Sequence, residues 1–259
     1  MPLTEAAALD RALAFINLID ERASTRVERL PFGSAYFHDR LPEVWHRNFV
    51  TLDDPPASAG LPAVLGEVDR VQGGAGLAHR KLVIDDEAGA ERLSPFLTAA
   101  GWEITRLEVM AYSRAGAPGI AATAREVDLE TLRPVREAFI RLDPLTTKDP
   151  VVEQLLEADH VIARAVTSRP FASFEGGEVA AFCFVYSEGD TAQIELVSTL
   201  PPFRRRGHAR AAVEAALAAA LEGHDLTFIV ADQGDWVKDW YARLGFERVG
   251  IVHEALRRR

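Results

Sequence analysis

The sequence predicts a mixed α/β protein, and three observations carry that expectation. Residues 169–200, "RPFASFEGGEVAAFCFVYSEGDTAQIELVSTL", read as three strands joined by Gly-Gly and Gly-Asp turns, an antiparallel meander. A helix, a buried strand "LTFIVA", a helix "DWVKDWYARL" and a last strand "FERVGIVHEA" follow it, which calls for a mixed sheet layered with helices. A near-repeat is the third. "FLTAAGWEITRLEVM" (96–110) and "WYARLGFERVGIVHE" (240–254) both run from a helix end through glycine and an aromatic into a strand. Glycine after a helix suits a left-handed cap, so common local physics explains the likeness as readily as duplication does.

The first half opens on a helix whose apolar stripe includes Leu9, Ala12, Leu13, Phe15, Ile16 and Ile19. Short strands are expected at "SAYFH" and "NFVTL". "HRKLVIDD" reads as a buried strand, "EAGAERLSPFLTAA" as a helix and "WEITRLEVMAYS" as a strand. The glycine- and proline-bearing stretch "SRAGAPGIAATA" (113–124) is the expected seam, dividing the chain into 1–115 and 120–259. Beyond it, Asp128 is placed to cap the helix "DLETLRPVREAFIRL".

The composition bounds the function. With 48% hydrophobic and 26% charged residues among 259, the chain is expected to fold as one large or two modest globular domains. It has no apolar run near the ~18 residues a membrane span needs. The acidic, helical N-terminus does not read as a secretory signal. One cysteine, Cys183, excludes an internal disulfide and suits a reducing, cytoplasmic setting. A net charge of −10 argues against nucleic acid as partner. His38, His46, His79 and His160 lack metal-ligand spacing, so no metal is expected.

Against that acidic background, residues 200–221 read "LPPFRRRGHARAAVEAALAAAL". The strand "QIELVST" enters, Pro201-Pro202 stops it, Arg204 to Gly207 turn, and a helix begins at His208 with Val213, Leu217 and Leu221 on one face. A basic turn at a helix N-terminus is an anion cradle, because free amides and the helix dipole both favour phosphate. Gly207 lets a ligand approach the main chain or lets the backbone take positive φ. A solvated arginine loop is the competing reading on composition alone. The turn is neither a P-loop nor a dinucleotide fingerprint, since the other glycines are missing.

Arg204 to Ala209 resembles the Arg/Gln-x-x-Gly-x-Gly/Ala pyrophosphate loop of the GNAT superfamily of acetyl-CoA-dependent N-acetyltransferases. "ELVSTLPPF" before it and "WYARLGFE" after it extend the resemblance over about 125–259. It implies an acyl-CoA N-acyltransferase-like fold, with acetyl-CoA as co-substrate held by Val197, Ser198 and Thr199 and by Arg204, Arg205, Arg206, Gly207, His208, Ala209 and Arg210. Two tandem halves are expected, the first degenerate because it lacks a basic glycine turn.

Glu195 is the candidate base. Period-two alternation puts it on one strand face with Val197 and Thr199, and an apolar sheet would raise its pKa towards working pH. A solvated or ion-paired strand glutamate is the alternative. The resemblance makes Tyr241 the acid that protonates the departing thiolate; packing of its ring is the alternative. The family often has Asn where this chain has Gly234, so Gln233 or Asp235 would have to replace it. Trp236 and Lys238 are candidates for covering the cofactor, with Trp236 equally readable as core. Asp143, Asp149 and Asp159 are expected in or near a loop, read either as bordering the acceptor site or, preferably, as solvated surface, and the C-terminal arginines are expected to fray. The resulting expectation is direct acetyl transfer to a small-molecule or protein amine. A longer acyl-CoA donor, and a non-catalytic acyl-CoA sensor or partner-binding module, are the rivals.

Overall fold

A computed structural model describes residues 3–114, 119 and 123–258, so most of the expected seam lies outside the described residues. In chain order the elements are α1 (Glu5–Ala23), β1 (Arg26–Leu30), β2 (Gly33–Phe37), β3 (Phe49–Thr51), α2 (Leu61–Gly74), β4 (His79–Ile84), α3 (Glu87–Ala99) and β5 (Glu103–Tyr112). Then follow β6 (Ala124–Glu126), α4 (Leu129–Ile140), α5 (Asp149–Ala165), β7 (Thr167–Glu175), β8 (Glu178–Glu188) and β9 (Thr191–Thr199). The chain closes with α6 (His208–Leu221), β10 (Leu226–Asp232), α7 (Val237–Leu244) and β11 (Phe246–Arg258). The meander and the mixed sheet are as expected. The sequence reading missed α2, α5, β1 and β6. The near-repeat is structural too: α3 and α7 each end at a positive-φ glycine, Gly101 at 81° and Gly245 at 111°, before Trp102 and Phe246.

Two compact units form, and they are discontinuous in sequence: residues 1–109, 231–242 and 248–259 make one, and residues 110–230 and 243–247 the other. The cause is β11. In the first unit the strand order is β1-β2-β3-β4-β11-β5, so the end of the chain is inserted into the sheet of the N-terminal half. β11 runs antiparallel to β4, from His253 opposite Ile84 to Arg258 opposite His79. Arg257 and Arg258 therefore do not fray as expected, and Arg259 lies outside the described residues. Arg257 pairs with Asp69 at 2.7 Å and Arg258 with Glu103 at 2.8 Å, and a paired strand holds both.

One face of this sheet packs against α2 and α3. Ala35, Val50, Leu82, Ile84 and Ala255 join Val64, Val68, Val71, Leu93 and Leu97 in one apolar core. Burying each large side chain there is worth about 1.5–3 kcal/mol. The same unit buries charge as well. Asp20 of α1 pairs with Arg47 at 2.9 Å, and burial outweighs that partner, raising Asp20 to about 6.

The second unit has the strand order β10-β9-β8-β7-β6. Asp128 caps α4 by accepting the Thr131 N–H at 2.7 Å, as its position predicts. α4 lies on the sheet face that carries Phe182, whose ring meets Phe139 edge-on at 5.9 Å. α6 lies on the opposite face, where His208 reaches Ser173. Ser173 is opposite Ala181, one residue from Phe182, and adjacent strand residues point to opposite sides.

Candidate active site

β9 changes character at its midpoint. Ile194 is opposite Val185 and Glu195 opposite Phe184, but the next pair is Ser198 with Phe182. Leu196 and Val197 therefore face the single residue Cys183, a β-bulge, and Leu196 takes a positive φ of 54°. This corrects the period-two argument. Across the bulge the alternation is reset, so Glu195 and Ser198 share the α4 face while Thr199, opposite Ala181, turns to the α6 face. Local sequence carries no bulge signal here; the shift comes from pairing with β8.

The other edge of β9 opens at the same point. β10 runs parallel to β9 from Leu226 opposite Thr191 to Ile229 opposite Ile194, and the described pairing stops there. Residues 196–199 lie beyond that pairing, on the kind of strand edge where an extended chain can be added.

The strand then delivers the chain to the turn. A 3-10 turn spans Pro201–Phe203, and Arg204 Nε donates to the Thr199 carbonyl at 3.2 Å. Arg205 has φ 62° and Gly207 φ 87°, so two left-handed residues bend the chain into α6. That conformation costs about 1–2 kcal/mol for a residue with a side chain, which is why position 207 suits glycine. Gly207 is the N-cap and supplies no side-chain cap; the first main-chain helix bond runs from Ala211 N–H to the Gly207 carbonyl at 3.0 Å. The amides of His208, Ala209 and Arg210 precede that bond, where helix geometry leaves N–H groups to outside acceptors. The charge is partly spent locally. Arg206 pairs with Glu175, and His208 Nε2 lies 2.7 Å from the other oxygen of the same carboxylate.

The remaining sequence candidates fall in several places. Tyr241 is on α7, buried at 5% exposure beside Trp240, in the first compact unit. Gln233 donates to Glu108 at 3.4 Å, and the Gly234 N–H is taken by Asp232 at 2.8 Å. Trp236 is 68% exposed, which excludes the core reading. Asp143 caps a 3-10 turn and Asp149 is the exposed first residue of α5, both beside the expected loop, while Asp159 lies inside α5. Asp159 is buried and pairs with Arg136 at 3.0 Å; burial raises its pKa against the pull of that arginine. Sequence reasoning missed this pair because its two halves are 23 residues apart. The pair lines a recess of about 10 Å³ with Leu132, His160 and Phe184, room for about one water. Phe184 is the cross-strand partner of Glu195. Cys183 is fully buried, and burial pushes its thiol pKa up, consistent with inert core. Among the described residues no helix is long and apolar enough to cross a membrane, and no His, Cys, Asp or Glu cluster could hold a metal.

β9 thus bulges, runs past its described pairing with β10 and leads through a basic turn into a helix whose N-cap is glycine. Residues 135–246 match the model of the acetyltransferase (GNAT) family. The fold is shared over nearly the whole chain. A functionally unknown conserved protein from Staphylococcus epidermidis superposes with a TM-score of 0.69 at 15% identity, covering 91% of this chain and 94% of that one. A GCN5-related N-acetyltransferase from Kribbella flavida gives 0.66 at 19% identity, with coverage of 96% and 94%. A tandem GNAT protein from the clavulanic acid biosynthesis pathway gives 0.53 at 14% identity, with coverage of 100% and 97%. No curated protein matches the sequence.

Proposed function

We propose that the protein is an N-acetyltransferase that moves an acetyl group directly from acetyl-CoA to an amine. The observation that carries this reading is the continuity of the end of β9, which runs past its described pairing with β10, with the basic turn and the helix N-terminus that opens α6. The pantetheine arm lies along β9 as an added strand, and the pyrophosphate rests on the amides from Arg205 to Ala209. Arg204 and Arg205 add charge. No metal takes part in this scheme.

Transfer needs an unprotonated amine, a polarised thioester and a proton for the leaving sulfur. Glu195 accepts the proton of the attacking amine, directly or through water. The main chain at the Leu196–Val197 bulge donates to the thioester oxygen as negative charge develops there. The C–N bond forms, the C–S bond breaks, and Tyr241 gives its proton to the coenzyme A thiolate. Holding both reactants together supplies much of the acceleration.

The test is turnover of acetyl-CoA against a panel of polyamines, aminoglycosides, amino acids and peptide amines. Glu195→Gln and Tyr241→Phe should each lower kcat by about 10²-fold while the dissociation constant for acetyl-CoA stays within about twofold. Tight binding with no turnover on any amine would favour a sensor, and faster turnover with succinyl-CoA would favour a longer acyl donor.

A further inference from the structure

The three arginines of the turn are not equivalent, and the reason is a carboxylate from another strand. Glu175 is the last residue of β7. One of its oxygens takes Arg206 Nη2, and the other lies 2.7 Å from His208 Nε2. The opposite ring nitrogen of His208 lies 2.9 Å from Ser173 Oγ, a hydroxyl with no exposed surface. Phe203 closes against the same imidazole edge-on at 6.0 Å. A single carboxylate thus grips both neighbours of Gly207, the glycine that opens α6 at φ 87°.

We propose that Glu175 is a positioning residue for the cofactor, clamping the turn through Arg206 and His208 so that the amides of residues 205–209 already converge. This rests on the acetyl-CoA reading above. It is a counter-intuitive place for a carboxylate, since a negative charge near a diphosphate costs affinity and its partner arginine is partly neutralised. The balance is set by order. An exposed arginine–phosphate pair contributes little in water, whereas arranging several backbone residues, one of them a left-handed arginine, is a larger entropic and conformational demand. His208 is the better-buried arm of the clamp, with its side chain 10% exposed against 52% for Arg206. Ser173 fixes the ring by bonding Nδ1, so Nε2 is aimed at Glu175.

The experiment is calorimetric titration of coenzyme A into the full-length wild type, Glu175→Ala, Glu175→Gln and Ser173→Ala, each at low and high salt. Glu175→Ala should weaken binding about tenfold. Its salt dependence should steepen, because Arg206 is released to act as a plain charge. Glu175→Gln keeps an acceptor for His208 and should fall between Ala and wild type. Ser173→Ala should weaken binding by a smaller factor. In turnover assays the loss should appear in KM for acetyl-CoA and not in kcat, a split that general destabilisation does not produce. Wild type that binds no coenzyme A would overturn the acetyl-CoA reading and this inference together. Wild type that binds while Glu175→Ala binds equally or more tightly would overturn this inference alone.

Discussion

Among the described residues, β3–α2–β4 and β9–α6–β10 each pass from strand through helix to an adjacent parallel strand, and their two turns differ sharply in charge. β3 leads through residues 52–60, "LDDPPASAG", into α2 and then β4, which pairs parallel with β3. β9 leads through residues 200–207, "LPPFRRRG", into α6 and then β10, which pairs parallel with β9. Both turns carry Pro-Pro and end on glycine. The first presents Asp53 and Asp54 and puts Pro62 in the first turn of its helix, removing one of the donors an anion would need. The second presents three arginines, and its glycine is left-handed. One supersecondary plan therefore gives an anion cradle only when sequence supplies free amides and positive charge together. Asp85, at the end of β4, is raised to about 6 by burial and by the charges of Asp53 and Asp20.

The comparison can be broken most decisively at the second turn. The double change Arg206→Glu/Gly207→Glu adds two carboxylates and forces a side chain onto a left-handed backbone position. Acetyl-CoA binding should fall by more than about 10²-fold in calorimetry. Retained binding would show that the cradle lies elsewhere.

A smaller effect is expected from the acid-rich end of β4. The folded state holds Asp85 at about 6, above the ordinary 3.8, so folding disfavours its ionised form. The resulting cost is absent below about pH 4 and grows as pH rises through 6. Asp85→Asn should therefore stabilise the protein by on the order of 1–2 kcal/mol at pH 8 and leave it unchanged at pH 4. Urea denaturation at the two pH values reads this directly, and equal effects at both would show that the burial of Asp85 carries no ionisation cost.

The smallest effect belongs to the first turn itself. Asp53→Ala/Asp54→Ala should leave acetyl-CoA affinity within about twofold, because charge removal creates no donors. Titration of the wild type should saturate at one cofactor per chain. A second equivalent taken up would mean that the first turn binds too.

How much of this was legible beforehand varies with the range of the interactions. The meander, the Asp128 cap, the helix start at His208 and the paired Gly101 and Gly245 caps are all written in local chemistry: turn glycines, a capping carboxylate, periodic apolar residues. α2 was missed because the only charged side chains in "LPAVLGEVDRVQGG" are Glu67, Asp69 and Arg70, and its three glycines mute the helical signal. The bulge at Leu196 and Val197 was invisible for a different reason. Nothing in "QIELVST" departs from alternation, and only the register with β8 inserts the extra residue.

By itself, the sequence determined the fold class, the order of most elements and the basic turn, since each depends on residues within a few positions of one another. Tertiary structure decided the rest. It inserted the last strand into the sheet of the first half, buried Asp159 against Arg136, set Glu195 apart from Thr199, and brought Glu175 across to Arg206 and His208. Those outcomes depend on which strands pair and in what register, and pairing partners far apart in the chain leave no periodic trace in either segment.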